Sequence, residues 1–187
     1  MAQIFAGGME IERRIYVELT GISSEVEGSV TSSIPPGFPL DRSFARLTTN
    51  IVWDYAAYYP YISLERTGAE ELTWHYHFPD PYNMEDYSPM VFTAEVILFS
   101  SPPKSIQQVS QAIDYTVNGS QVLVSSLNPA VDPTRSMAFL NSRVKTNHIG
   151  YQTTSPQVTG ANDLTWKVVS YNGAVSRIMW SVVIDPN

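Results

Sequence analysis

Apolar and polar residues alternate along most of this 187-residue chain. The clearest segment is Leu72-Thr73-Trp74-His75-Tyr76-His77-Phe78. Leu72, Trp74, Tyr76 and Phe78 fall on one face, and Thr73, His75 and His77 on the other. A period of two predicts a strand with one buried side. Leu47, Thr49, Ile51, Trp53 and Tyr55 alternate in the same way, as do Ile15, Val17 and Leu19 against Arg14, Tyr16 and Glu18. Met90, Phe92, Ala94, Val96 and Leu98 form a further stripe. Ile97 and Phe99 make the end of that strand apolar on both sides, which predicts cover from two directions. Ile178, Trp180, Val182 and Ile184 close the pattern.

Two Asn-Gly pairs punctuate the strands. Asn118-Gly119 separates Ile113–Val117 from Ser120–Val124 and predicts a two-residue hairpin. In that register Val117 faces Ser120, Tyr115 faces Val122 and Ile113 faces Val124. Asn172-Gly173 predicts a second hairpin between Leu164–Tyr171 and Ala174–Ile184. Both turns need positive φ, which Asn and Gly tolerate best. Ile106, Val109 and Ile113 show the only helical spacing, so at most one short helix is expected near 105–111, capped by Ser105. Prolines cluster between strands, at Pro35-Pro36, Pro79, Pro81, Pro102-Pro103, Pro129, Pro133 and Pro156. No internal repeat or interdomain linker stands out. The pattern predicts an all-β fold: a single antiparallel β-sandwich over 11–187, of jelly-roll or related Greek-key topology. Residues 1–10 read as a flexible N-terminal arm, with Gly7-Gly8 as its joint.

Composition narrows the function. The chain has 18 acidic and 11 basic residues, a net charge of −7 and no cysteine. Disulfides, thiolate metal sites and a cysteine nucleophile are excluded. Residues 1–95 hold 14 acids and 5 bases, a net of −9; residues 96–187 hold 4 acids and 6 bases, a net of +2. Only three lysines are present (Lys104, Lys145 and Lys167), and no basic cluster suits direct nucleic-acid binding. The N-terminus lacks the basic region of a signal peptide, and the apolar run Met90–Phe99 is about half the length of a spanning helix. The expectation is a soluble protein, compatible with a place in a virion.

Candidate chemistry is sparse. His75 and His77 share one strand face and form the best metal-ligating pair. With Gly68 they resemble the first half-motif of the cupin family, which uses such a pair with a following glutamate. No glutamate stands four or five positions after His77, and no third histidine completes the second half-motif. No G-x-S-x-G elbow and no phosphate-cradling glycine loop is present, and no cofactor is called for. Aromatic side chains are the richer signal. Trp53, Tyr55, Tyr58, Tyr59 and Tyr61 fall within nine residues, and Trp74 to Tyr87 adds five more. Tyr58, Tyr59, Tyr61, Tyr82 and Tyr87 are the expected binding residues, since tyrosines offer flat contact area at low entropic cost.

The segment Leu72 to Asn83, followed by Tyr87, resembles the strand–proline–tyrosine loop of actinoporin-like β-sandwiches. That likeness implies a role for Tyr82 and Tyr87 at a phosphocholine headgroup, or at a sugar as in related fungal lectins. The chain departs from it in lacking an amphipathic N-terminal helix and the loop tryptophans. The leading expectation is a non-enzymatic structural or assembly protein, such as a virion-type shell, decoration or spike component. It would work through contacts with further copies of itself or with other assembly subunits. An actinoporin-like or lectin-like sandwich binding lipid headgroups or glycans is the alternative, and a cupin-like metal-binding protein the third.

Overall fold

The computed structural model describes residues 3–5, 8–19, 27–48, 61–77, 92–114, 119–144, 151–153, 156–170 and 176–187. Strands dominate: β1 (Gln3–Ile4), β2 (Glu10–Leu19), β3 (Glu27–Ser33), β4 (Ser43–Leu47), β5 (Tyr61–Gly68), β6 (Glu71–His77), β7 (Phe92–Phe99), β8 (Ser105–Asp114), β9 (Gly119–Ser126), β10 (Met137–Leu140), β11 (Ser142–Val144), β12 (Tyr151–Thr153), β13 (Gln157–Gly160), β14 (Asp163–Ser170) and β15 (Ser176–Asp185). They form four antiparallel sheets. The first has the order β1-β2-β7-β4 and the second β11-β5-β6-β3. The third is β10-β15-β8; in the fourth, β14 pairs with β12, β13 and β9. The described residues are all-β and antiparallel, consistent with the sandwich fold expected from alternation.

The two halves of the chain repeat one plan. In the first half β7 lies between β2 and β4, and β6 between β3 and β5. In the second half β15 lies between β8 and β10, and β14 pairs with β9 on one side and β12 and β13 on the other. The repeat is also written in the sequence, contrary to expectation. Thr67-Gly68-Ala69-Glu70-Glu71-Leu72-Thr73-Trp74 matches Thr159-Gly160-Ala161-Asn162-Asp163-Leu164-Thr165-Trp166. Ser32-Ser33-Ile34 matches Ser125-Ser126-Leu127, and Arg42-Ser43-Phe44-Ala45 matches Arg135-Ser136-Met137-Ala138. These matches are short and lie far apart, so strand periodicity hides them.

Matching residues make matching contacts. The buried indoles of Trp74 and Trp166 donate to Ser32 and Ser125, each at 3.0 Å. The hydroxyls of Thr67 and Thr73 lie 3.0 Å apart, and those of Thr159 and Thr165 lie 2.7 Å apart. The Ile34 amide donates to the Glu70 carbonyl at 2.8 Å, as the Leu127 amide does to Asn162 at 2.8 Å. Each half encloses its own core. Leu47, Ile62, Leu72, Trp74 and Val96 belong to the first, and Ile113, Leu164, Trp166, Met179 and Val183 to the second.

A third apolar cluster joins the halves. Phe5, Phe44, Ile97 and Phe99 meet Val182 and Ile184 there, with Phe139 packed against them. The Phe44 ring stacks on Phe139 at 5.6 Å between centroids, and Phe5 meets Phe99 edge-on at 5.5 Å. β7 is therefore covered on both faces at its end, as Ile97 and Phe99 predicted. Phe44 and Met137 occupy equivalent positions in the repeat and both contribute to this cluster. Within the segment expected to be an arm, Gln3–Ile4 pairs with β2 and Phe5 is buried in the same cluster.

Asn141 fastens the junction. Its side-chain amide donates to the Ala45 carbonyl at 2.8 Å and accepts from the Leu47 amide at 3.2 Å. Its backbone carbonyl accepts from Leu64 and its backbone amide donates to Trp180, both at 2.8 Å. One buried residue thus satisfies backbone groups of β4, β5 and β15 together. The remainder of the β5 edge is taken by β11 and by the Gln108 side chain, which accepts from the Arg66 amide at 2.8 Å.

Three expectations need correction. Residues 105–111 belong to strand β8, not a helix, because all of β8 pairs with β15. Neither Asn-Gly pair joins hairpin partners. Ile113 pairs with Arg177, and Val124 with Thr165. The reason lies in the side chains: Ile113 is fully buried whereas Val124 is 57% exposed, so the two cannot share a sheet face. β14 and β15 likewise lie in different sheets. Gly119 keeps the expected positive φ, at +107°. The strand expected over 47–55 is described only as far as Leu47, where β4 ends; residues 49–60 lie outside the described residues.

Replacing Asn141 with alanine leaves the Leu47 amide and the Ala45 carbonyl buried without a partner. At about 1–3 kcal/mol per group, Asn141→Ala is expected to cost roughly 2–6 kcal/mol. Urea unfolding followed by circular dichroism measures this; a change below about 1 kcal/mol would contradict the role given to Asn141.

Candidate functional site

Alternation along β6 sends Leu72, Trp74 and Tyr76 into the first core and turns Thr73, His75 and His77 outward. Cross-strand pairing then fixes their neighbours. His75 is flanked by Ser29 and Ser63, and His77 by Glu27 and Tyr61. His75 Nε2 lies 3.1 Å from Glu65 Oε2, and His77 Nδ1 lies 3.3 Å from Glu27 Oε2. Each imidazole thus faces a separate carboxylate, so the pair does not converge on one point. Among the described residues, no group of three or more His, Cys, Asp or Glu side chains is arranged to hold a metal ion.

The outer face of β6 meets β15 of the other half. Trp180 lies parallel to His75, with centroids 6.4 Å apart and planes 7° apart. The Arg177 guanidinium sits 5.7 Å from the centre of the Tyr61 ring and 4.0 Å from the Glu27 carboxylate. Tyr61 is only 6% exposed; its hydroxyl donates to the Ile178 carbonyl and lies 2.7 Å from the Ser63 hydroxyl. Glu27, Tyr61, His75, Arg177, Ile178 and Trp180 line a cavity of about 320 Å³ between the halves. That volume stands at the small end of sites for single small molecules, roughly 300–1,000 Å³.

Of the expected binding residues, Tyr61 forms the buried base of this cavity rather than an exposed contact. Tyr58, Tyr59, Tyr82 and Tyr87 lie outside the described residues. Glu27, Arg177 and Trp180 were not anticipated. A signal for Trp180 was present: Ile178-Met179-Trp180-Ser181-Val182-Val183-Ile184 is apolar at both parities, as at the end of β7. Met179 and Val183 fill the second core, leaving Trp180 and Ile178 to face the first half.

Other ionisable groups are occupied structurally. Glu95 is almost wholly buried on the outer face of β7 and accepts from Arg14 at 3.0 Å and Arg46 at 2.6 Å. Arg66 donates to the Gly68 and Ala69 carbonyls and to the Ser43 hydroxyl, closing the β5–β6 turn. Burial brings its guanidinium down to about 10. A second cavity of about 210 Å³ lies beside it, lined by Leu40, Phe44, Ile106, Gln108 and Val182 among others. Among the described residues, no helix is long and apolar enough to cross a membrane.

His77 titrates below its ordinary 6.5 because burial disfavours the imidazolium; the Arg177 charge acts in the same direction and Glu27 opposes it. The unfolded chain therefore binds this proton more readily than the folded one. The resulting stability is complete above about pH 6.5 and is lost as pH falls through the lower folded value. Urea midpoints are expected to drop between pH 7.5 and pH 5, and to drop less in His77→Gln. Equal drops in the two proteins would show that His77 contributes nothing to the pH dependence.

The chain matches no protein-family model, no curated protein and no solved structure, so its functional reading rests on the geometry of its own residues.

Proposed function

We propose that this chain is a non-enzymatic assembly protein acting through protein–protein contacts, with further copies of itself as its first partner. The observation that carries the proposal is the outer face of the fourth sheet. Val122 and Val124 of β9 are 63% and 57% exposed, beside Thr165 and Lys167 of β14. Their counterparts on β3 of the first half are Ser29 and Thr31, by the same offset that relates Ser32 to Ser125. The two repeats thus differ at these positions, polar in one and β-branched apolar in the other. β9 carries no charged residue, whereas β3 begins with Glu27. An edge strand that carries exposed β-branched apolar residues and no charge of its own, with Lys167 across from it on β14, is a surface that a partner strand or subunit can cover.

The class of assembly that fits is a virion-type shell, decoration or spike component. Support for it is architectural: two sandwich repeats without cysteine, joined face to face through an apolar cluster. An acidic first half and the scarcity of lysine favour an accessory or outer position over one lined with nucleic acid.

Light scattering coupled to size-exclusion chromatography tests this. At tens of micromolar the protein is expected to exceed the 20.9 kDa of one chain, and the double variant Val122→Lys, Val124→Lys to fall to that mass with its circular dichroism unchanged. A monomeric native protein, or an assembly indifferent to both changes, would refute the proposal.

A further inference from the structure

The cavity between the halves has features that the assembly reading does not use. Three of its elements come from the first repeat and two from the second. Glu27 lies on β3, Tyr61 on β5 and His75 on β6; Ala112 lies on β8, and Arg177, Ile178 and Trp180 on β15. The cavity therefore exists only when the halves are docked, and Asn141 bonds directly to Trp180 within its wall.

Its chemistry is mixed in a specific way. Trp180 supplies a flat aromatic surface, with the His75 ring stacked parallel to it at 6.4 Å between centroids and the exposed Ile178 in the same wall. Charged groups line the same cavity. Glu27 is a largely exposed carboxylate that, among the described residues, meets His77 at 3.3 Å and Arg177 at 4.0 Å. Arg177 is 13% exposed and carries five N–H donors in a planar fork. A ligand with one apolar face and several hydroxyls on its edge satisfies both kinds of surface, and a pyranose ring has that form.

Charge selects among such ligands. Among the described residues, Glu27 in the cavity lining and Glu65 beside His75 are set against the guanidinium of Arg177. This excess of carboxylate disfavours an acidic sugar or a phosphate. A quaternary ammonium is disfavoured for another reason: the Arg177 guanidinium over the Tyr61 ring already places a like charge in the cavity.

We propose that the cavity lined by Glu27, His75, Arg177 and Trp180 binds one neutral pyranose ring of a glycan. The ring stacks on Trp180, and adjacent hydroxyls donate to Glu27 and accept from Arg177. Direct charge-assisted bonds of this kind are the strong ones available to an uncharged polyol. A single ring in so small a site gives weak binding, about millimolar, raised by multivalency when several copies assemble.

Isothermal titration of the full chain with glucose, galactose, mannose and N-acetylglucosamine tests the proposal, with sialyllactose and phosphocholine as comparison arms. At least one neutral sugar is expected to bind, and both comparison arms to bind at least tenfold more weakly. Trp180→Ala and Glu27→Gln are each expected to weaken the neutral sugar at least tenfold. Glu27 is largely exposed, so its variant should fold even where loss of Trp180 disturbs the junction. Silence from all four sugars, preferential binding of sialyllactose or phosphocholine, or affinity unchanged in Glu27→Gln would overturn the assignment. The monomer–oligomer result for the valine variants is independent of each of these outcomes.

Discussion

One asparagine at the meeting of three sheets sets the geometry of this molecule. Sheets end in edges, and an edge strand carries backbone groups that need partners. β4 ends its sheet on the side facing the second half, and β5 is paired there only by the short β11, Ser142–Val144. Asn141 answers for both: its side-chain amide has the donor and acceptor of a peptide group and serves β4, while its own peptide groups serve β5 and β15. The apolar cluster beside it supplies more free energy. Burial of each phenylalanine there contributes about 1.5–3 kcal/mol, against a net of roughly 0.5–1.5 for an ordinary hydrogen bond. The two kinds of interaction do different work. Apolar contact is non-directional and holds the halves together, whereas Asn141 fixes the register in which they meet.

That register creates the cavity. His75 and Glu27 are positioned by strand pairing within the first half, and Trp180 and Arg177 by pairing within the second. Neither half alone brings Trp180 and Glu27 to one cavity. Docking also buries Tyr61 and brings the Arg177 charge to the partly buried His77, which places a titrating group at the boundary. The charge division noticed along the chain falls on the same boundary. Residues 96–99 carry no charge, so the first repeat through Phe99 holds the net −9 and the remainder the net +2. Opposite net charge favours association of the halves, although screening limits its reach to about 8–10 Å at physiological salt.

Much of the fold was legible from alternation. The faces of β6 and the double cover at the end of β7 followed from residue parity, because a buried sheet face admits few polar side chains. Long-range pairing was not legible, for a physical reason. A two-residue turn signal such as Asn118-Gly119 reports backbone φ, which a turn between sheets can need as much as a hairpin does. The burial of Ile113 against the exposure of Val124 decides between them, and sequence alone makes both apolar. The repeat was visible in Leu72-Thr73-Trp74 and Leu164-Thr165-Trp166, yet a period of about ninety residues lies far beyond the windows in which alternation is read. Of the cavity, only Tyr61 and His75 had been singled out; Glu27 and Arg177 look like ordinary surface charges until the halves are docked.

The central claim is that the two repeats form one cooperative unit through this junction. Differential scanning calorimetry of the unmodified chain tests it most directly. One transition is expected, with calorimetric and van't Hoff enthalpies in agreement, because neither core can open without exposing the shared cluster. Two resolved transitions, one for each repeat, would contradict the account.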